Sequence, residues 1–386
     1  MRDGHEGRAT LAPLDASLLP AGVAARHVEG VGPLRMHVLE AGAPTAPLVL
    51  LLHGFPEIAY SWRGVMPALA DAGYRVVAPD LRGYGRTTGV PAAEAGDFGL
   101  AACLRDVLAL VARLGRRRVA LLVGHDFGAV AAAYAALVRP DVFGAVALMS
   151  APFAGTPPWP EAPPAPPGDR DAELARLDPP RKHYHDYYST PQADRDMTAP
   201  PEGLHAFLRA YFHVKSGDWP GNDPAPLPDG SAASLARLPH YYVMPRTATM
   251  PAAVAPFMPD ADAVASCRWL PEDVLAVYAA EYARTGFQGG LNWYRGRTSG
   301  VHGREWAAQT GRSITVPAAF IAGARDWGVH QGHGAYASMQ ARGCTDLRLC
   351  TLLDGAGHWV QQERAGAVSA LLIDFLRDLR TTTEGT

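Results

Sequence analysis

The chain has 386 residues, 48% of them hydrophobic, with 35 Lys and Arg against 38 Asp and Glu and a formal net charge of -3. That length can bury a sizeable core, and the near-neutral balance gives no electrostatic case for nucleic acid or a membrane surface. The four cysteines, Cys103, Cys267, Cys344 and Cys350, form no C-x-x-C pair, so they suggest neither a zinc site nor a disulfide framework and fit reduced thiols in a cytoplasmic protein.

The first residues, "MRDGHEGRATLAPLDASLLP", lack a basic stretch leading into an apolar one, and no leader is expected. No run of about 18 apolar residues predicts a membrane span. Residues 1–24 read as an N-terminal extension. "LRMHVLEAG" (34–42) alternates as a strand does. "APLVLLLHG" (46–54), "YRVVAPD" (74–80) and "RVALLVGHD" (118–126) are continuous apolar runs, as in strands buried on both faces. "LAACLRDVLALVARLG" (100–115) has helical periodicity, and "VFGAVALMSAPF" (142–153) is another buried strand. Strands alternating with helices predict a mostly parallel sheet flanked by helices. Core residues 25–154 are followed by a change of texture. "GTPPWPEAPPAPPGDRD" (155–171) is a proline-rich linker, and the chain stays aromatic-rich to about residue 305 without a buried-strand run. The pattern returns over 306–386 with "ITVPAAFIAGARD" (314–326), "LRLCTLLDGAGH" (347–358) and an amphipathic helix, "AGAVSALLIDFLRDL" (365–379). The expected architecture is one α/β domain interrupted over 155–305 by a mainly helical cap.

Three strand ends carry reactive groups. Asp126 sits in "GHDFG", which has the spacing of the G-x-S-x-G nucleophile elbow with an aspartate in the serine position. Asp326 and His358 follow the two late strands. Ligands bind at the carboxyl ends of strands in open parallel sheets, and the order nucleophile, acid, histidine is that of α/β-hydrolases. The structural alternative for an aspartate at a strand end is a turn former or helix cap. "HGFP" (53–56), at the end of an earlier strand, reads either as a turn or as part of the site. Gly83-Tyr84-Gly85 is a lone glycine pair, and His330 and His333 have no third ligand spaced to join them. Neither a nucleotide cofactor nor a metal is expected. His125, beside the nucleophile, reads as a packed residue.

The stretch "HGFPEIAYSWRGVMPALADAGYRVVAPDLRGYGRT" (53–87), the elbow "GHDFG", "RTGFQGGLNWYRG" in the cap and "GAGHW" together resemble epoxide hydrolases of the α/β-hydrolase fold. The resemblance runs from about residue 25 to 380. It implies that an epoxide and water give a vicinal diol with no cofactor. A carboxylate suits this chemistry. An alkylated serine would be an ether that water cannot cleave, whereas alkylated Asp126 is an ester with a carbonyl carbon open to attack. His358 is then free to activate water, with Asp326 orienting it. The resemblance also implies an oxyanion hole from the Phe127 and Phe55 N–H groups, a cis Phe55–Pro56 bond, and two cap tyrosines as acids for the ring oxygen. Tyr294 matches one of them. Tyr184 matches the other, with Tyr187 and Tyr188 as alternatives. Trp62, Trp293 and Trp359 lie in or beside the motifs and either line the pocket or pack in the core. A haloalkane dehalogenase would use the same aspartate, but it typically has a Trp after the nucleophile where this chain has Phe127. A reading from another class, a ligand-binding scaffold without catalysis, is permitted by the fold alone. The expected partner is a small-molecule epoxide, and a homodimer is left open.

Overall fold

The computed structural model describes residues 11–89, 95–158 and 169–384. Residues 1–10 of the expected extension and 159–168 of the proline-rich linker lie outside them.

Ten strands are present among the described residues: β1 (Val23–Val31), β2 (Leu34–Ala41), β3 (Leu48–Leu52), β4 (Arg75–Pro79), β5 (Leu121–His125), β6 (Val146–Met149), β7 (Arg181–His183), β8 (Val243–Pro245), β9 (Ala318–Gly323) and β10 (Leu347–Leu353). Eight form one sheet in the order β1-β2-β4-β3-β5-β6-β9-β10. From β4 to β10 every neighbouring pair is parallel, and β2 alone runs against both of its neighbours. Strand β1 was not foreseen, since its mixed burial hides the alternation.

The apolar runs are continuous because both faces are covered. Leu48, Leu50 and Leu52 of β3 join one core cluster, while Val49 and Leu51 join the other. The second cluster packs under the helices Met66–Asp71 and Ala365–Glu384. The first lies under the helices Leu100–Arg113 and Phe127–Val138 and runs on without a break into the segment between β6 and β9.

That segment is mainly helical. Its longer helices are Leu204–Lys215, Glu272–Thr285 and Gln288–Thr298. It also holds the short antiparallel ribbon β7–β8, which three-residue strands do not betray in sequence. Among the described residues no helix is long and apolar enough to cross a membrane.

Candidate active site

The elbow is built by backbone crowding. Asp126 has φ 53, an unfavourable conformation for a side chain with a Cβ, and it lies between β5 and the helix Phe127–Val138. A Cβ on Gly124 would stand 2.1 Å from the Gly128 carbonyl oxygen, and one on Gly128 would stand 2.2 Å from that of Leu52. The two glycines therefore let strand, turn and helix close on one another while Asp126 is lifted off the sheet. The alanine-rich face of the helix allows the same close approach.

Asp126 Oδ1 accepts the Phe55 N–H at 3.1 Å, and the Phe55–Pro56 bond is cis. The Phe127 N–H belongs to the first helical turn, whose N–H groups have no partner within the helix. Of the two expected donors, the Phe55 N–H is thus on the carboxylate, and the Phe127 N–H follows Asp126 directly along the chain. His358 follows β10, and its Nδ1 lies 3.1 and 3.2 Å from the two oxygens of Asp326. Its Nε2 stands 3.5 Å from Asp126 Oδ2, close enough for ion-pair contact but without hydrogen-bond geometry, so this buried nitrogen has no hydrogen-bond partner among the described residues.

The electrostatics follow from this packing. Burial would raise the Asp126 carboxyl, but His358, Lys215 and His125 outweigh it and hold the group well below the usual carboxylate range. Burial and the Lys215 charge work against protonated His358, yet Asp326 and Asp126 prevail and raise it above its ordinary value. Asp326 is held low in spite of burial, chiefly by His358 and by the Gly328 N–H that it accepts at 2.7 Å.

A cavity of about 700 Å³ opens on Asp126, with Phe127, Tyr184, Trp306 and Arg297 in its wall. Tyr294 packs edge-on against Phe127, ring centroids 4.7 Å apart, and lies 5.7 Å from the Tyr184 ring. Its hydroxyl makes no hydrogen bond among the described residues. Tyr184 accepts from Gln331 Nε2 at 2.9 Å, which leaves its own proton available to donate. The hydroxyls of the alternatives are engaged elsewhere, Tyr187 with Asp196 and Tyr188 with Tyr211. Burial raises both Tyr184 and Tyr294 above the ordinary phenol value, and Asp126 adds to it.

The tryptophans require a correction, because none of the three lines this cavity. Trp62 belongs to the core cluster on the far side of the sheet. Trp293 donates to the Arg82 carbonyl at 3.1 Å and Trp359 to that of Phe212 at 2.8 Å, which fixes both rings in the interior. Trp306, unmarked in the sequence reading, is the indole in the wall.

Sequence reasoning also passed over two supports of the histidine. Glu57 Oε2 sits 2.6 Å from His125 Nδ1, and His125 Nε2 in turn bonds the His358 carbonyl at 2.7 Å. His125 is packed, as expected, and it also holds the histidine loop. Lys215, the last residue of the helix Leu204–Lys215, accepts the His358 N–H on its backbone oxygen at 2.7 Å. Its ammonium is buried at 4.9 to 5.8 Å from the ring centroids of Tyr211, Tyr241, Tyr242 and Trp359. Burial lowers it to about 8 against the pull of Asp126, Asp326 and Glu57. The one signal available was scarcity, since Lys182 and Lys215 are the only lysines in the chain. Among the described residues no cluster of His, Cys, Asp and Glu is arranged to hold a metal ion.

The alpha/beta hydrolase fold family matches residues 47–183. Epoxide hydrolase A of Mycobacterium tuberculosis is 37% identical over 357 residues, covering 90% of this chain and 95% of the relative. An epoxide hydrolase of Caballeronia sordidicola is 34% identical over 89% of this chain and 91% of its own length. In structure, an epoxide hydrolase from an endophytic Streptomyces superposes with a TM-score of 0.75 at 32% identity, covering 94% of this chain and 97% of that one. Potato epoxide hydrolase I gives 0.72 at 31%, covering 92% and 99%. Likeness that spans core and insert alike, around a carboxylate elbow, makes this chain a member of the epoxide hydrolases of the α/β-hydrolase fold.

Proposed function

We propose that this epoxide hydrolase converts its substrate to a vicinal diol through a covalent ester on Asp126. The observation that carries the reading is Asp126 itself, with Oδ1 on the Phe55 N–H at 3.1 Å and Oδ2 facing His358 Nε2 at 3.5 Å. An Asp126 oxygen attacks a ring carbon, the carbon–oxygen bond breaks, and Tyr294 with Tyr184 protonates the departing oxygen. Negative charge appears on that oxygen only as the ring opens, so donors aimed at it act mainly in the transition state. Alkylation removes the charge of Asp126. His358 Nε2 then takes a proton from water, and the hydroxide adds to the ester carbonyl. The oxyanion that forms is held by the Phe55 and Phe127 N–H groups. Collapse expels the diol, whose alkoxide takes the proton from His358. Asp126, left as an acid, returns its proton to the tyrosinate.

Asp326 keeps the imidazole oriented and stabilises its cation. In this reading Glu57, His125 and the Lys215 carbonyl fix the histidine loop, and the Lys215 charge favours both anionic Asp126 and neutral His358. The enzyme works in the cytoplasm on a small molecule, where its four unpaired cysteines stay reduced.

One turnover in oxygen-18 water tests the mechanism. Label is expected in the Asp126 carboxylate, and the diol should carry an oxygen from the enzyme. Label that goes straight into the diol and never into Asp126 rules the ester out.

A further inference from the structure

Three consecutive backbone N–H groups at the catalytic histidine are held by groups outside its loop. That of His358 donates to the Lys215 carbonyl at 2.7 Å. Those on either side of it, of Gly357 and Trp359, donate to Glu363 Oε2 at 2.9 Å and Glu363 Oε1 at 3.0 Å. The same Oε2 accepts the Gly217 N–H at 2.7 Å, from the segment that follows the helix Leu204–Lys215. Glu363 ends the short helix Val360–Glu363 and reaches back over the loop from there. Backbone crowding explains how one side chain spans both segments. A Cβ on Gly357 would stand 2.3 Å from the Ser216 carbonyl carbon, and one on Gly217 would stand 2.5 Å from the Gly355 carbonyl oxygen. The histidine loop and the end of that helix thus lie backbone to backbone. Three N–H donors on two oxygens suit an ionised carboxylate, which only accepts, whereas an acid or an amide would turn a hydrogen of its own toward one of them. Among the described residues Glu363 makes no ion pair, so these N–H groups are what its carboxylate serves.

We infer that Glu363 is a positioning residue for the hydrolytic step: its carboxylate clamps the backbone on both sides of His358 to the end of the helix Leu204–Lys215 and so fixes where Nε2 meets water. The inference rests on the proposed reaction and adds a residue that acts on one half of it. Asp326 anchors the His358 ring at Nδ1, while Nε2 has no hydrogen-bond partner among the described residues. The reach of Nε2 toward the ester is therefore set by the backbone that carries the ring. A displacement of about 1 Å in such a group can cost on the order of 100-fold in rate. Ring opening uses Asp126, placed by the elbow, and tyrosines on the helices Tyr184–Tyr188 and Gln288–Thr298, and Glu363 bonds to none of them. Burial pushes the Glu363 carboxyl up to about 7, against the pull of the three N–H groups and with Asp218 adding to the push, so the clamp is ionised at pH 8.

The test is made at pH 8 with Glu363→Gln, which keeps the shape of the side chain but sets an amide NH2 against one of the N–H donors. Alkylation by one activated epoxide should stay within about twofold of the parent, and its burst counts the folded sites. Single-turnover hydrolysis, per site so counted, should slow by about 10- to 100-fold, the range expected for loss of a hydrogen bond to a charged group, and the ester should accumulate in the intact-protein mass. Gly217→Ala, which forces the other side of the clamp away from Gly355, should show the same one-sided defect, and it decides the matter if the first variant does not fold. Hydrolysis at the parental rate overturns the inference while the ring-opening reading stands. So does an equal fall in both steps, since Glu363 would then only support the fold. A parent enzyme that forms no ester overturns the reaction reading and this inference with it.

Discussion

At the scale of single residues the site divides labour by charge. Asp126 is held as an anion by its neighbours, and in the proposed mechanism it needs no base and leaves His358 to act on water. The tyrosines stay protonated because burial and Asp126 both oppose a phenolate. Tyr294→Phe should cost about 2.7–4 kcal/mol in ring opening, the range for loss of one oxyanion donor, and slow alkylation by roughly two to three orders of magnitude. Hydrolysis of an ester already formed should change far less. Pre-steady-state alkylation with one activated epoxide separates the two steps, and a parental rate in the variant would remove the hydroxyl from the mechanism. The two steps should also differ in pH dependence. Alkylation should stay flat from neutral to mildly acid pH, because Asp126 titrates well below that window and the tyrosines well above it. Ester hydrolysis needs neutral His358, so its rate should climb with pH through the titration of that imidazole, at a point below the one His358 shows in the free enzyme, because alkylation removes the Asp126 charge that helps to raise it. The placement of the three reactive groups was legible in sequence. Asp126, Asp326 and His358 each sit at a strand end, and strand ends show as the limits of apolar runs.

Elements bring in the residues that sequence did not mark. The helix Leu204–Lys215 ends against the histidine loop, giving His358 a backbone acceptor and setting a buried ammonium beside the triad. That ammonium opposes protonation of His358. Lys215→Met keeps the length of the side chain and the backbone bond but removes the charge. The acidic limb of ester hydrolysis should then move to higher pH by on the order of one unit, with slower turnover at pH 6 and little change on the plateau. Single-turnover hydrolysis against pH reads this directly, and an unmoved limb would reduce Lys215 to a packing residue. No motif announced Lys215, because its partners are spread over Tyr211, Tyr241, Tyr242 and Trp359, far apart in sequence.

On the scale of the whole molecule, the segment between β6 and β9 shares one hydrophobic cluster with a face of the sheet. Polar contacts reinforce the seam. Arg86 bonds Glu281 at 2.6 and 2.9 Å, and Ser61 Oγ meets the Tyr278 hydroxyl at 2.7 Å. Either part alone would expose a large apolar area, at about 25 cal/mol per Å². The two should therefore unfold together. Hydrogen exchange followed by mass spectrometry should give the same opening free energy for the slowest amides of β5 and of the helix Glu272–Thr285. A markedly lower value for the helix would mean that the insert opens independently.

Sequence by itself determined the α/β class, the parallel sheet, the interruption after β6, the elbow and the order of the reactive groups. Each is written in local pattern, as apolar runs, glycine spacing and chain order, and local pattern survives without coordinates. It did not determine which aromatic rings face the cavity. Trp62, Trp293 and Trp359 stand next to motif residues, yet their side chains point into the interior, and Trp306 faces the cavity from a stretch with no motif. Nor did it mark Glu363, Lys215 or the pairing of Glu57 with His125. Only the tertiary structure decided these, because the direction of a side chain and the company of a buried charge depend on segments that meet only once the chain has folded.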